Sequence, residues 1–312
     1  IILLNIKTLW VFYRKTKKQV KVILKKHDLL ISIGGDVLRM SIWDDTEIIP
    51  NKIPIIQLGI NDWELGKNFS TELAILGNVK SSLEIINQEF KKSKNRNFLK
   101  KSKPRIEKFK KNNWLSNRKE LFKNTQKLNS TKPIRPEWLM LEISESLPKN
   151  YIVIEEGLVS TRTLLNYLPI KKHNDFYGLA SGGIGWAISG AIGASLANPD
   201  KTIIAVIGDG SSMYGIQSLW TAAHYNLNII YIIANNNGYR IIKERLEAFH
   251  KNKNFIGMDF KNPPIDFVKL SIAMGIPATR LEDPKNISNV IKNTIKNRGP
   301  HLLDILVDNG YN

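Results

Sequence analysis

Asp209, Asn236 and Gly238 can offer three oxygens to one hard divalent cation: a carboxylate, a side-chain amide and a peptide carbonyl. Asp209 lies in Gly208-Asp209-Gly210-Ser211, directly after the apolar run Thr202–Ile207, and the other two lie in Asn235-Asn236-Asn237-Gly238-Tyr239, directly after Ile229–Ala234. If both runs are parallel strands joined by a helix, these donors fall just past the strands' carboxyl ends, where open α/β sheets bind ligands. The set leaves octahedral positions for diphosphate oxygens and water, which suits magnesium best. Gly210 lets the chain approach a phosphate closely, and Ser211 with the amides opening the next helix can donate to the anion. A lone Gly-Asp-Gly is also an ordinary turn after a strand, so its context carries the weight.

The elements that must position these residues alternate along the chain. Strands are expected at Tyr151–Glu155, Thr202–Ile207, Ile229–Ala234 and His301–Val307, and helices at Thr161–Leu168, Gly185–Leu196 and Ile216–Tyr225. Continuous apolar strands separated by helices predict a parallel sheet covered on both faces. Gly185, Ser189 and Gly193 recur every four residues and let another backbone come close to their helix. Earlier, Asp28–Ile33 and Ile53–Leu58 suit buried strands, flanked by helical patterns at Lys17–Lys26 and Lys80–Phe90. The expected fold class is α/β in two domains, residues 1–90 and 136–312, each a mostly parallel sheet flanked by helices, with a basic linker at 91–135. Gly34-Gly35 is followed by no GxGxxG pattern and reads as a tight turn, not a dinucleotide loop.

Composition narrows the classes further. At 312 residues and 42% hydrophobic, the chain can fill two cores. Cysteine is absent, which excludes disulfides, thiolate metal sites and cysteine nucleophiles and suits a reducing cytoplasm. No apolar stretch approaches the roughly 18 residues of a membrane span, so a soluble, cytoplasmic protein with no membrane partner is expected. The net charge of +18 is concentrated: residues 91–135 hold 17 Lys/Arg and 2 Asp/Glu, against 12 and 10 in 1–90 and 17 and 16 in 136–312. A polyanion-binding arm with Phe98, Phe109 and Trp114 interleaved fits that segment, as does a solvated connector with one or two surface helices. The connector is favoured, and nucleic acid is not an expected partner.

Gly-Asp-Gly and Asn-Asn, separated by the 24 residues Ser211 to Ala234, together resemble the signature of the thiamine diphosphate enzymes, in particular the 2-oxo acid decarboxylases and carboligases. Gly182-Gly-Ile-Gly-Trp-Ala-Ile188, with Ala191-Ile-Gly193, is similar to the loop and helix before that signature, and Ser218–Asn226 to the helix inside it. Asp62–Asn68 with Leu76-Gly77 is similar to the family's central domain. The resemblance thus spans most of 20–90 and nearly all of 136–312, but not the basic segment. It implies a thiamine diphosphate-binding fold in the C-terminal domain and Mg2+ on Asp209, Asn236 and Gly238. It also implies cofactor contacts at Gly182, Ile184, Gly208, Asp209, Gly210, Ser211, Asn236, Gly238 and Tyr239. Gly182 would accept from the aminopyrimidine through its carbonyl, and Ile184 would be the wedge that keeps the cofactor bent; an ordinary core isoleucine is its other reading. Many relatives carry hydroxyl residues or Gln-His in the diphosphate loop, whereas this chain reads Glu155-Glu-Gly-Leu-Val-Ser160, which leaves the phosphate contact there unassigned.

The same resemblance implies non-oxidative decarboxylation of a 2-oxo acid, in the manner of benzoylformate decarboxylase. An acetolactate synthase-like carboligase is the runner-up, and an inactive cofactor-binding or polyanion-binding protein the alternative from another class. The family's cofactor does the hard chemistry. The glutamate that acts on its pyrimidine ring comes from a separate pyrimidine-binding domain, which meets the diphosphate domain of a second subunit. No catalytic residue is identifiable in this chain; Glu155 and Glu156, at a strand end, read as cap or loop acceptors. The expected partners are a 2-oxo acid, a pyrimidine-binding domain from a missing N-terminal region or another chain, and further copies in a dimer or tetramer. A gene fragment, a split enzyme and a decayed binding protein all fit, and Ile1 in the first position favours a fragment. Of the five histidines, scattered without metal spacing, only His250 is a candidate substrate contact, a helix (241–249) beyond the Asn235–Tyr239 loop.

Overall fold

The computed structural model describes residues 17–38, 45–50, 53–92, 100, 102–104, 106–107, 114–179 and 182–310. Ile1, Phe98 and Phe109 lie outside these. The chain divides into two compact units, Ile1–Ser116 and Asn117–Asn312.

In the first unit α1 (Lys17–Leu24) precedes β1 (Leu30–Ile33), β2 (Ile55–Gly59), β3 (Leu73–Leu76) and α2 (Val79–Lys92). The three strands are parallel in the order β1-β2-β3. Val20 and Leu24, one turn apart on α1, pack with Leu38 and Ile48 in a small core. β1 ends in a tight turn at Gly34, with φ +71°. Buried Gln57 in the central strand holds the Asp62–Asn68 loop: its Nε2 donates to the Glu64 carbonyl (3.0 Å) and its Oε1 accepts from the Gly66 amide (2.9 Å). β3 is not legible in the sequence because its side chains are mostly exposed, so it shows no alternation.

α3 (Trp114–Thr125) crosses the boundary between the units. There follow α4 (Pro136–Ser146), β4 (Tyr151–Glu156), α5 (Leu164–Tyr167), β5 (Phe176–Gly178), α6 (Trp186–Ala197) and β6 (Thr202–Gly208). The chain continues with α7 (Asp209–Ser212), α8 (Ser218–His224), β7 (Ile229–Asn235), α9 (Arg240–His250), α10 (Phe267–Ala273), β8 (Ala278–Leu281), α11 (Ile287–Asn297) and β9 (His301–Leu306). The six strands form one parallel sheet in the order β5-β4-β6-β7-β9-β8. β4, β6 and β7 are buried at every position, as central strands covered on both faces must be. Ile203, Ala205 and Ile207 of β6 pack with α6, α8 and α10 on one face, while Ile204 and Val206 pack with α4 and α11 on the other. Each buried aliphatic side chain contributes on the order of 1.5–3 kcal/mol.

Residues 117–135 differ from the solvated connector expected of them. Leu121, Phe122 and Leu128 pack against the core of the second unit, and Ile134, 0% exposed, bridges Val307. Arg118 donates to the Tyr167 carbonyl (2.8 Å), and the Thr125 and Tyr167 hydroxyls are 2.7 Å apart. The lysines between these anchors hide an apolar pattern that a charge count does not register. The helix expected at Thr161–Leu168 shrinks to α5, because the Glu155 carboxylate ties down a loop ahead of it, accepting from the Gly157 amide (3.0 Å) and the Thr161 hydroxyl. α4 is buried almost all round and so lacks an amphipathic stripe, and β5 and β8 are only three and four residues long.

Ile134→Ala should lower the unfolding free energy by about 2–5 kcal/mol in urea titrations, as a core truncation does, while leaving the denaturant slope unchanged. A stability within 0.5 kcal/mol of the unmodified chain would restore the connector reading.

Candidate cofactor site

The sheet order places a switch point between β4 and β6: the chain leaves β4 toward β5 on one side and returns through β6 on the other. A cleft of about 230 Å3 opens there at the strands' carboxyl ends, where ligand sites form in such sheets. Three loops line it: Gly157–Ser160 after β4, Gly208–Ser211 at the end of β6, and Asn236–Ile242 running from β7 into α9.

Asp209 is the hub. Only 2% exposed, its carboxylate accepts from the amides of Gly210 (2.8 Å), Gly238 (3.0 Å) and Asn236 (3.1 Å). Burial nevertheless outweighs these bonds and pushes its carboxyl up to about 6, because among the described residues no cation is recorded beside it. A buried carboxylate that holds amides but no positive charge is a fitting donor for a metal ion. Asn236 donates its amide nitrogen to the Ser160 hydroxyl at 3.1 Å, which leaves its oxygen for a cation. The Gly238 carbonyl accepts from the Arg240 amide at 3.0 Å and keeps a second lone pair. Among the described residues no three His, Asp or Glu side chains gather into a metal cluster. A cation here must therefore draw on one carboxylate, neutral oxygens and a ligand's own oxygens, the donor set magnesium takes with a diphosphate. The residues fit that group.

The glycines meet protein before they meet any ligand. A Cβ on Gly210 would lie 2.8 Å from the Tyr239 ring, which itself packs edge-on against Phe260. A Cβ on Gly238 would lie 2.4 Å from the Met258 carbonyl, since residues 237–239 pair with 258–260 as a short antiparallel bridge. The expected close approach of Gly210 to a phosphate is joined by a packing demand from Tyr239. Its amide is also engaged by its own Asp209 carboxylate, so the donors free for an anion lie further along, from Ser211 onward.

Of the nine residues expected to touch the cofactor, eight line this cleft: Ile184, Gly208, Asp209, Gly210, Ser211, Asn236, Gly238 and Tyr239. Gly182, at φ +80°, is not among them. Ile184 is 39% exposed, which rules out the core reading of that side chain. Glu155 and Glu156 act as acceptors inside the fold. Glu156 caps α6, taking the amides of Gly185 (2.5 Å) and Ala187 (2.7 Å) at the positive end of that helix. The small-residue row of α6 is used in part: Gly185 lies against Tyr214 and Ser189 bonds Ser218 (2.7 Å), but among the described residues a Cβ on Gly193 would meet nothing within 4 Å. His250 ends α9, exposed, and does not line the cleft. Sequence reasoning missed Tyr214 and Arg240, which line it, and gave Ser160 no task. The sole signal for Ser160 was a hydroxyl in the first loop.

Fold and site define a parallel α/β domain with a ligand cleft at its switch point. Residues 159–305 match the family model described as "Thiamine pyrophosphate enzyme, C-terminal TPP binding domain". Over 297 residues the chain is 29% identical to the "Probable acetolactate synthase large subunit" of Methanococcus aeolicus, covering 91% of this chain and 48% of that protein. It is 23% identical over 283 residues to benzoylformate decarboxylase of Pseudomonas aeruginosa, covering 91% and 49%. The thiamine diphosphate-dependent 4-hydroxybenzoylformate decarboxylase of Rhodococcus jostii RHA1 shares the fold, with a TM-score of 0.74, 23% identity, and coverage of 92% of this chain and 50% of its own. Residues 159–305 thus resemble the C-terminal cofactor-binding domain of the thiamine diphosphate-dependent enzymes. The chain spans about half the length of the curated relatives it matches.

The raised Asp209 carboxyl makes a signed prediction. Its folded value of about 6 lies above the free value of 3.8, so stability is full below 3.8 and is lost as pH rises through 6. In metal-free protein this component should reach roughly 3 kcal/mol by pH 7.5. Because the loss builds up between 3.8 and 6, urea unfolding at pH 5 and 7.5 should show roughly half of it, about 1.4 kcal/mol, in the unmodified chain, and a smaller change in Asp209→Asn.

Proposed function

We propose that the cleft binds thiamine diphosphate through magnesium, and that the chain is the diphosphate-binding half of an enzyme that decarboxylates 2-oxo acids without oxidation. The observation that carries this reading is the buried, cation-free Asp209 carboxylate at the switch point, with Asn236 and Gly238 drawn to it by their own amides. Asp209, Asn236 and the Gly238 carbonyl would hold the metal. Bound there, thiamine diphosphate supplies the electron sink for the pair released when a 2-oxo acid loses carbon dioxide. The protein's part is to fix and shield the cofactor. Ser211 stands at the anion's side of the cleft, Ile184 offers the apolar prop, and the Tyr239 ring, braced by Phe260, holds the Gly210 turn in place.

No described residue of this chain stands as an acid or base for the substrate. The proton-handling glutamate belongs, on this reading, to a pyrimidine-binding domain, supplied by another part of a longer protein or by a second chain in a dimer or tetramer in the cytoplasm. Carboligation of the acetolactate synthase kind is the second reading, favoured by the 29% identity to that relative against 23% to benzoylformate decarboxylase.

Calorimetric titration with thiamine diphosphate should give binding that requires magnesium, is abolished by Asp209→Ala, and survives replacement of residues 93–113 by an uncharged linker of equal length. Binding that ignores magnesium, or that disappears with the basic segment, overturns the reading in favour of a polyanion binder. With a pyrimidine-binding domain supplied, benzaldehyde from benzoylformate marks the decarboxylase, and acetolactate as the main product from pyruvate marks the carboligase.

A further inference from the structure

Beneath the proposed metal loop lies a charge that the cofactor reading leaves unused. Asp304 of β9 is 0% exposed, at the centre of the parallel sheet. Strand register brings two partners to it. Arg280 of β8 stands directly opposite and donates from Nε (2.9 Å) and Nη2 (2.8 Å), both to Oδ2. Asn235 of β7 is the diagonal neighbour: Ile233 faces Asp304 in the register, and Asn235, two residues on, projects from the same face. Its Nδ2 donates to Asp304 Oδ1 at 2.9 Å. With the nitrogen turned inward, its Oδ1 accepts from the Asn237 amide at 3.0 Å. Asn237 has φ +58°, a left-handed conformation that a non-glycine residue holds only when its surroundings enforce it. That turn separates Asn236 from Gly238, the two residues whose amides meet Asp209 Oδ2.

A buried ion pair is a poor way to stabilise a sheet, since apolar side chains of similar volume often do as well or better. Its better-attested use is to specify one arrangement. Asp304 has two oxygens with one task each: Oδ2 anchors on Arg280, and Oδ1 selects the orientation of the Asn235 amide. Rotating that amide by half a turn would set its NH2 against the Asn237 N–H and its oxygen against a carboxylate. Only one orientation satisfies both neighbours.

We propose that Asp304, anchored by Arg280, is a positioning residue for the metal loop: through Asn235 it locks the Asn237 turn that carries Asn236 and Gly238 to Asp209. Asn235, first of the Asn-Asn pair, then serves the loop's shape, and Asn236 alone serves the ion. The inference rests on the proposed metal site for its purpose but not for its geometry, so two readouts separate them. In the full metal-free chain, hydrogen exchange of the Asn237 and Gly238 amides should quicken at least tenfold in Asp304→Asn and in Asn235→Ala, while amides in the centre of β6 stay protected. With thiamine diphosphate present, Mn2+ affinity followed by electron paramagnetic resonance should weaken about 10–100-fold in either variant, as expected for partners that orient metal ligands. The double variant should be little weaker than the singles, because both break one linkage. Ser271→Ala, which removes a buried hydroxyl bonded to the Ile276 carbonyl at 3.0 Å, is the control that lowers stability and leaves both readouts unchanged. Should Asp304→Asn fail to fold, Asn235→Ala carries the same test. Unchanged exchange at Asn237 and Gly238 in Asn235→Ala overturns the positioning role. Absence of Mn2+ binding in the unmodified chain overturns the metal reading instead, and the exchange data still decide the geometry.

Discussion

The arrangement of the second unit's ligand cleft depends on how one carboxylate is solvated. Asp209 has left water, and what replaces water is the peptide chain: its own next amide and two amides from the loop after β7. These bonds tie the ends of two adjacent strands together, so the same interaction that would make the carboxylate a metal donor also draws the other two proposed donors into range. The bonds do not repay the burial in full, as the raised carboxyl shows. A folded state that keeps such a deficit is preorganised: the cost is met during folding, and a cation that arrives later finds its ligands already converged.

The rest of the cleft limits how that hub can move. A Cβ on Gly210 would have to displace the Tyr239 ring, and one on Gly238 would collide with the Met258 backbone carbonyl. The loop from β7 is held from below by Asn235 and from above by its pairing with residues 258–260, which are themselves fixed by the Lys243–Asp259 contact at 2.6 Å. Asn236, Asn237 and Gly238 consequently have little freedom, although the loop belongs to no helix or strand. On the opposite wall, Glu156 ends α6 just beyond Ile184, so a helix cap fixes the approach of that apolar side chain.

The sequence was most informative where local pattern and burial agree. β4, β6 and β7 are uninterrupted apolar runs because both their faces are covered, and the residues at the ends of β6 and β7 became ligand-site candidates through strand-end position taken together with the 24-residue spacing and the family resemblance. It was least informative where long-range contacts decide. Residues 117–135 look like solvated charge, yet Leu121, Phe122, Leu128 and Ile134 reach the core of the second unit. Ser160 joins the site only because Asn236 reaches it across 76 residues of chain, and Asp304 supports the loop only because the strand order puts β9 beside β7. Glu155 and Glu156 were legible as acceptors at a strand end, but their partners, Thr161 and the start of α6, follow from tertiary packing.

The charges around the cleft bear on which ion the site would use. An anionic ligand entering it meets Asp209 on the wall, with Glu155 and Glu156 buried just below the first loop. Protein cations are a poor source of compensation. Among the residues lining the cleft, Arg240 is the one basic side chain, and its guanidinium is already engaged, donating to the Asp308 carbonyl at 2.9 Å and lying 3.4 Å from the Glu244 carboxylate. A diphosphate resting on amides alone would face an ionised Asp209 at close range in a low-dielectric pocket, which is strongly unfavourable. A divalent cation between the two reverses the sign of that interaction and supplies Asp209 with the partner it lacks. On this electrostatic ground the proposed cofactor and metal would bind as one unit, since each without the other would meet an uncompensated charge.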